Sequence, residues 1–415
     1  MSKSAPKKTA TRMARTIRSL SIMAGLGITL TAYSIYSNGR DVRLATGPKG
    51  DAQHEFFLNA AERPDMELFF RSLTPKQRVE MSANIGHYDD PLMPKLIGKC
   101  LGTFDVDARA ALTNSMAELA KTQPKAVAEQ LALKGSFQQL AVATALKAAG
   151  TDSLNLVTAQ LSVADARPNA VAYLVSVGPP SVPSLLPVLN DKDKDVRLAG
   201  ADALGKLRAT TAIPKLTDLY TSTKGDEHFG YLAALAGIGS KSSEPLLAQA
   251  LNDPSIPVAE RAQAEIGLGR IATASAVALL WKYPTSEEPT LREGAISALQ
   301  VAGDSSFAAG TSEETKLRIA EGVHSETADS VIKKGLQTPS LRLAAAKVAG
   351  NRSQLVPDLV AALDQVNPDQ DGDLADQLIR ALFTTPEGTR TAESLKQPEM
   401  KGLVERRLQL SAPKV

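Results

Sequence analysis

The stretch VPSLLPVLNDKDKDVRLAGADALGKLR, Val182–Arg208, decides the fold, because its two halves return along the chain. Its first half has counterparts in IPKLTDLYTS from Ile213 and EPLLAQALND from Glu244, so Pro183, Pro214 and Pro245 are each 31 residues apart. AVALLWKYPT from Ala276 keeps that spacing with Ala in place of Pro. In the second half, Val196, Ala199, Ala203, Leu204 and Leu207 recur at three- and four-residue steps, which lays one apolar stripe along a helix. Each unit therefore reads as a helix, a short Asp-bearing turn and a second, Ala-rich helix. A repeat of this size cannot bury its apolar face alone and must stack on its neighbours.

Two further features give a resemblance. Asp195, Val196 and Arg197 follow the turn, and GADALG (Gly200–Gly205) follows them. With the proline opening the first helix, this pattern resembles a HEAT repeat, and more narrowly the short bacterial form named after phycobilisome-lyase subunits. The resemblance is strongest over Val182–Leu207, fair in the flanking units and weak at the ends. It implies an all-α fold, an α-solenoid of stacked helix pairs with a period of about 30–31 residues, in which second helices line the binding face. It also brings two enzyme classes into view, bilin lyases and a di-iron hydroxylase built on similar repeats with paired His-Glu steps.

Composition agrees with helix stacking. Aromatic residues make up 4% of the 415 residues, which suits closely packed helices and disfavours a β-sandwich. The net charge of +2 conceals an asymmetry: residues 1–50 hold nine Lys/Arg and one Asp, leaving 38 basic and 44 acidic side chains beyond them. A mildly acidic body is a poor phosphate binder, so no nucleic-acid partner is expected. Cys100 is the single cysteine, which excludes an internal disulfide and a cysteine-rich metal site.

Along the chain, residues 1–18 form a basic tail, and Ser19–Tyr36 (SLSIMAGLGITLTAYSIY) carries no charge. As a helix this run spans ~27 Å against a ~30 Å hydrocarbon core. It reads as a transmembrane anchor or as the apolar core of a signal sequence, with Ala32-Tyr33-Ser34 a mediocre cleavage site. No cysteine follows it to make a lipoprotein. Positive charge ahead of the run keeps the N-terminus in the cytoplasm and puts the solenoid outside, on a cytoplasmic membrane, or secreted or periplasmic after cleavage. Residues 37–54 read as a flexible linker, 55–302 as the solenoid with its regular part at 89–302, and 303–415 as degenerate helical repeats with a C-terminal cap. Gly303–Thr311 reads as a loop-like insertion and Pro398–Leu410 as the capping helix.

No chemistry-bearing constellation emerges. The four histidines, His54, His87, His228 and His324, are spread too widely for a repeated His-Glu ligand set, so the hydroxylase reading fails. Asp369–Asp373 has calcium-like spacing without a suitable downstream Glu, and reads as a solvated acidic loop. Asp195 reads as a helix cap, and Arg197 as a ladder to the next repeat's turn, since Arg109, Arg261, Arg292 and Arg342 recur near equivalent turns. Cys100 reads as a small buried hydrophobe. The candidate partner-binding residues are His228, Phe229 and Tyr231, which replace small residues at the start of a second helix, and Trp281 and Tyr283, of types favoured at interaction sites. The expected function is a non-catalytic protein–protein interaction scaffold, tethered to a membrane through residues 19–36, with no cofactor and no metal. The alternative is an enzyme accessory resembling bilin lyase subunits, holding a chromophore or a client protein.

Overall fold

The computed structural model describes residues 39–310, 312–367 and 370–393, with 402 and 404. The anchor candidate 19–36, most of the capping helix 398–410 and part of the 369–373 loop lie outside them. The described chain is an all-α solenoid of helix pairs and divides into two compact units, up to Val188 and from Leu189.

In the first unit the helices are α1 (Asp51–Glu62), α2 (Met66–Ser72), α3 (Pro75–Ile85), α4 (Met93–Cys100), α5 (Val106–Thr122), α6 (Pro124–Ala128), α7 (Ser136–Ala148), α8 (Ser153–Ala159), α9 (Arg167–Val177) and α10 (Val182–Leu185). Starts follow local chemistry. Thr74 closes a capping box with Gln77 ahead of Pro75, and Asp105 accepts the Ala108 amide at 3.1 Å. α3, α5 and α7 are second helices that pack in succession, with α4 and α6 as first helices. Their core is apolar, including Met81, Ile85, Leu112 and Met116, all buried.

Residues 39–54 are not a flexible linker. Residues 39–46 are helical and α1 begins at Asp51. Ala45 is buried, and the buried Gln53 amide donates to Leu44 O at 2.9 Å and Gly47 O at 2.8 Å. Tyr88 completes the join by donating its hydroxyl to Gln53 Oε1 at 2.8 Å. Gly47, Pro48 and Gly50 punctuate two helices and do not loosen the chain.

The second unit continues with α11 (Lys194–Lys206), α12 (Ile213–Ser222), α13 (Asp226–Ile238), α14 (Glu244–Asn252), α15 (Val258–Ile271), α16 (Ala274–Leu280) and α17 (Pro289–Ala302). Then come α18 (Ser305–Ala309), α19 (Glu313–Gly322), α20 (Glu326–Gln337), α21 (Arg342–Val348), α22 (Val356–Leu363), α23 (Gly372–Leu382) and α24 (Pro386–Glu393). The second helices α11, α13, α15 and α17 pack in succession, each on the next. Leu204, Leu235, Leu268 and Leu299 hold equivalent places in these helices, and all are fully buried.

The alternation persists beyond Val301. α18 replaces the expected loop and serves as a short first helix against α16, with Phe307 buried. What shortens there is the repeat, and the pairing of first with second helix continues through α19–α24. The cap of α11 also moves: Asp193, not Asp195, is the N-cap, accepting the Asp195 amide at 2.8 Å.

Second helices end on a residue of positive φ in phase with the repeat. Gly178, Gly239 and Gly303 take this conformation with φ of 87°, 64° and 64°, and so do Arg208 (53°) and Ala272 (51°) at the equivalent places. A side chain in this region costs about 1 kcal/mol that glycine does not. Ala272→Gly should accordingly raise stability by about 0.5–1 kcal/mol in denaturant unfolding. Leu204→Ala should cost about 2–5 kcal/mol. Asp202→Ala, on the exposed side of the same helix, should cost no more than about 0.5 kcal/mol. Equal losses at positions 202 and 204 would put the apolar stripe on the wrong face.

Candidate functional site: a groove over three second helices

The candidate site is a half-open groove of about 660 Å³ in the second unit, formed by α11, α13 and α15. Small residues make its floor: Gly230, Ala233, Ala234 and Gly237 on α13. Leu198 of α11 lies over Gly230, where a methyl group would collide with its Cδ2. Towards the C-terminal ends of the helices the groove is basic. Lys206 and Arg270 occupy the same repeat position, with Gly237 between them in register, and Arg208 follows α11. Towards the N-terminal ends it presents Asp226 and Phe229.

The charges are unequally committed. Lys206 pairs with Asp202 at 2.7 Å, and Arg270 donates from Nη1 to Ala236 O at 3.2 Å. Arg208 is exposed and makes no ion pair among the described residues. It also holds its left-handed backbone where two neighbouring repeats use glycine.

Behind the groove a ladder ties successive repeats. Arg197 of α11 donates from Nε to Tyr231 OH at 3.1 Å and ion-pairs through Nη2 with Glu227, both on α13. Its Nη1 donates to Asp191 O at 2.7 Å and Lys192 O at 3.0 Å in its own turn. The pairing with Arg197 lowers the Glu227 pKa and raises that of the guanidinium. One repeat on, His228 stands where Arg197 stood. Its Nδ1 lies 2.7 Å from Glu260 Oε2 and its ring stacks on Tyr220 at 3.8 Å. Burial, with Glu260 and Asp253 nearby, pushes the Tyr220 phenol up to about 12. The expected reach of Arg197 to the next repeat is therefore present, and a histidine continues it. Arg78, Arg261, Arg292 and Arg342 likewise donate to their own turns, at Leu73 O, Leu251 O, Ser286 O and Leu336 O. Arg78 and Arg342 also reach the next repeat, donating to Asp105 Oδ2 and Gln365 Oε1, each at 2.9 Å.

The five residues singled out from sequence separate accordingly. Phe229 alone lines the groove, 36% exposed. His228 and Tyr231 belong to the ladder, and Tyr231 is fully buried. Trp281 and Tyr283, at the end of α16, are not brought to the groove. Trp281 donates from Nε1 to Ser306 O at 2.7 Å, and Tyr283 OH lies 3.3 Å from Leu251 O. Cys100 is buried, which raises its thiol pKa. Among the described residues no group of three or more His, Cys, Asp or Glu side chains could hold a metal ion.

Sequence reasoning missed the groove cations and Glu265. Glu265 holds a position where equivalent second helices place Ala201, Leu232 and Ile296, all buried. It is itself fully buried, and neither carboxyl oxygen has a hydrogen-bond partner among the described residues. It fits because Gly294 of α17 is opposite, where a methyl group would collide with Oε2. Burial, opposed only in part by Arg261, pushes its pKa up to about 8.

One family model agrees with this architecture. The family described as HEAT repeats matches residues 157–227. Human deoxyhypusine hydroxylase in complex with glycerol is similar at 19% identity over 63% of this chain and 96% of that one, with a TM-score of 0.28. An engineered protein is similar at 18% identity over 90% and 98%, TM-score 0.29. The karyopherin Kap121p bound to the SUMO protease Ulp1p is similar at 12% identity over 87% and 48%, TM-score 0.40. No curated protein matches the sequence significantly. The stacked pairs define an α-solenoid, with HEAT-type repeats recognised over 157–227.

Glu265 sets a pH dependence with a definite sign. Its folded pKa of about 8 exceeds the ordinary 4.5, so between those values the folded chain holds a proton that the unfolded chain releases. Stability should fall as pH rises through this window, by at most ~1.4 kcal/mol per pH unit. In urea unfolding from pH 5 to 9, Glu265→Gln should flatten that decline. An unchanged pH profile would mean that Glu265 is ionised in the fold.

Proposed function

We propose that the chain is a non-catalytic scaffold that holds a partner protein in the groove over α11, α13 and α15, tethered to a membrane through residues 19–36. The observation that carries the first part is Arg208. It is an exposed cation without an ion-pair partner among the described residues, in a conformation glycine would adopt more cheaply, at the edge of a built groove. Non-glycine residues held in this region tend to cluster where a side chain is needed for function. With Lys206 and Arg270 beside it and Phe229 at the other end, the groove suits an acidic segment of a partner that also carries an apolar side chain.

The tether rests on sequence: six basic residues precede the uncharged run 19–36, and Arg40, Arg43 and Lys49 follow it. No described helix is long and apolar enough to cross a membrane, and the run lies outside the described residues. The charge order places the N-terminus in the cytoplasm and the repeats outside.

Two experiments address the two parts. A photo-crosslinking amino acid at Phe229 should capture a partner in cells, while the same group at Asp218, exposed on α12, should not. Arg208→Glu combined with Arg270→Glu should reduce the capture by about tenfold or more. Capture insensitive to these charges would overturn the groove reading. For the tether, a reporter active only outside the cytoplasm, fused after Val415, should be active, and activity confined to a cytoplasmic reporter would contradict it.

A further inference from the structure

The first unit carries an apolar patch that the groove does not explain. Leu68, Phe104, Val106, Phe137 and Leu140 are each more than half exposed, Phe104 by 84%. They share one surface. Arg71, on α2 with Leu68, donates from Nη2 to Gly102 O at 3.2 Å, and its guanidinium is 6.0 Å from the Phe104 ring. A methyl group on Gly102 would stand 3.1 Å from Glu67 Oε1 on α2 and 3.6 Å from Gln138 Nε2 on α7, so the starts of these helices adjoin the 101–105 turn. Arg109 lies 4.0 Å over the Phe137 ring and has no ion pair among the described residues. Isolated apolar side chains are ordinary on a surface, but a contiguous group with two phenylalanines marks a contact.

The chain's own layout indicates what covers it. The uncharged run ends at Tyr36, and the first described helix starts at residue 39, so only Ser37 and Asn38 lie between, ~10 Å from residue 36 to 39 at full extension. That helix is fixed to the unit. Ala45 is buried, and Asp41 pairs at 2.6 Å with Arg63, which also pairs at 2.9 Å with Asp65, the residue preceding α2. A bilayer holding residues 19–36 would therefore hold the first unit close to its surface. Phenylalanine and leucine enter the boundary between headgroups and acyl chains, and a guanidinium beside them suits lipid phosphate.

We propose that this patch is a lipid-contact surface in which Phe104 and Phe137 seat in the membrane interface. The proposal rests on the reading of residues 19–36 as a membrane segment, and its test separates the two. The full chain is reconstituted with vesicles of phosphatidylcholine and phosphatidylglycerol, with and without brominated acyl chains. Trp281 is the only native tryptophan and lies in the second unit, so Phe104→Trp adds one reporter to a known background. The expected result is flotation with the vesicles and bromolipid quenching at least about twofold that of the wild type. Flotation with wild-type quenching would leave the membrane segment standing and overturn the lipid contact. Failure to float would overturn both. A blue-shifted emission from the Phe104→Trp variant in lipid-free dimers, unquenched by bromolipid, would assign the patch to a second copy of the chain and overturn the proposal.

Discussion

The second unit depends on how closely its second helices approach one another. A methyl group on Gly205 would lie 3.0 Å from Ala234 Cα, one on Gly267 2.8 Å from Ala236 Cα, and one on Gly269 would collide with Ala298 O. At each crossing the obstacle is the neighbouring helix's backbone, which cannot swing aside as a side chain can. Glycine and alanine are thus required along this seam, and the low aromatic content follows from the same demand. The cost of glycine within a helix, about 0.5–1 kcal/mol, is offset by burial of leucines at equivalent places in successive repeats.

The seam and the groove are two sides of one arrangement. Residues small enough to let helices meet leave little cover on the exposed side, so Gly230, Ala233 and Gly237 become a floor between longer side chains. Charged residues then stand around that floor at positions set by the repeat, Lys206 and Arg270 among them. On the turn side, the polar ladder of Arg197, Glu227, Tyr231, His228 and Glu260 fixes the register of neighbours. A buried or half-buried polar set of this kind favours one alignment of repeats over others, because each slip leaves a charge unpaired.

Much of this architecture is legible in the sequence where the signal is local. The helix Pro75–Ile85 starts where the local Thr-Pro signal puts it, and the apolar stripe of Val196, Ala203 and Leu204 falls on the buried face of Lys194–Lys206. The exceptions share a dependence on distant partners. Residues 39–54 read as a linker because glycine and proline punctuate them, yet Gln53 bonds to Leu44 and Gly47 and meets Tyr88 from beyond a later helix. Ser305–Ala309 is too short to show a helical period and gains its place from Trp281 and the α16 contact. Of the candidate binding residues, Phe229 reaches the groove, whereas Tyr231 is consumed by Arg197 and Glu227. An unusual residue type at a repeat position signalled a difference without saying which way the side chain turned. Aligning Lys206, Gly237 and Arg270 by the repeat was the signal that could have located the groove, and Glu265 was detectable as an acid in the apolar phase of α15.

The central claim is that stability in the second unit passes from one helix pair to the next across the glycine seam. Hydrogen exchange on Gly269→Val measures this most directly, because the added side chain meets the Ala298 backbone. Protection should fall across Val258–Ala302, while Val356–Leu382, several pairs away, should keep protection close to that of the wild type. An equal loss over both segments would contradict the account, since it would show one cooperative globule in place of a stack held by neighbours.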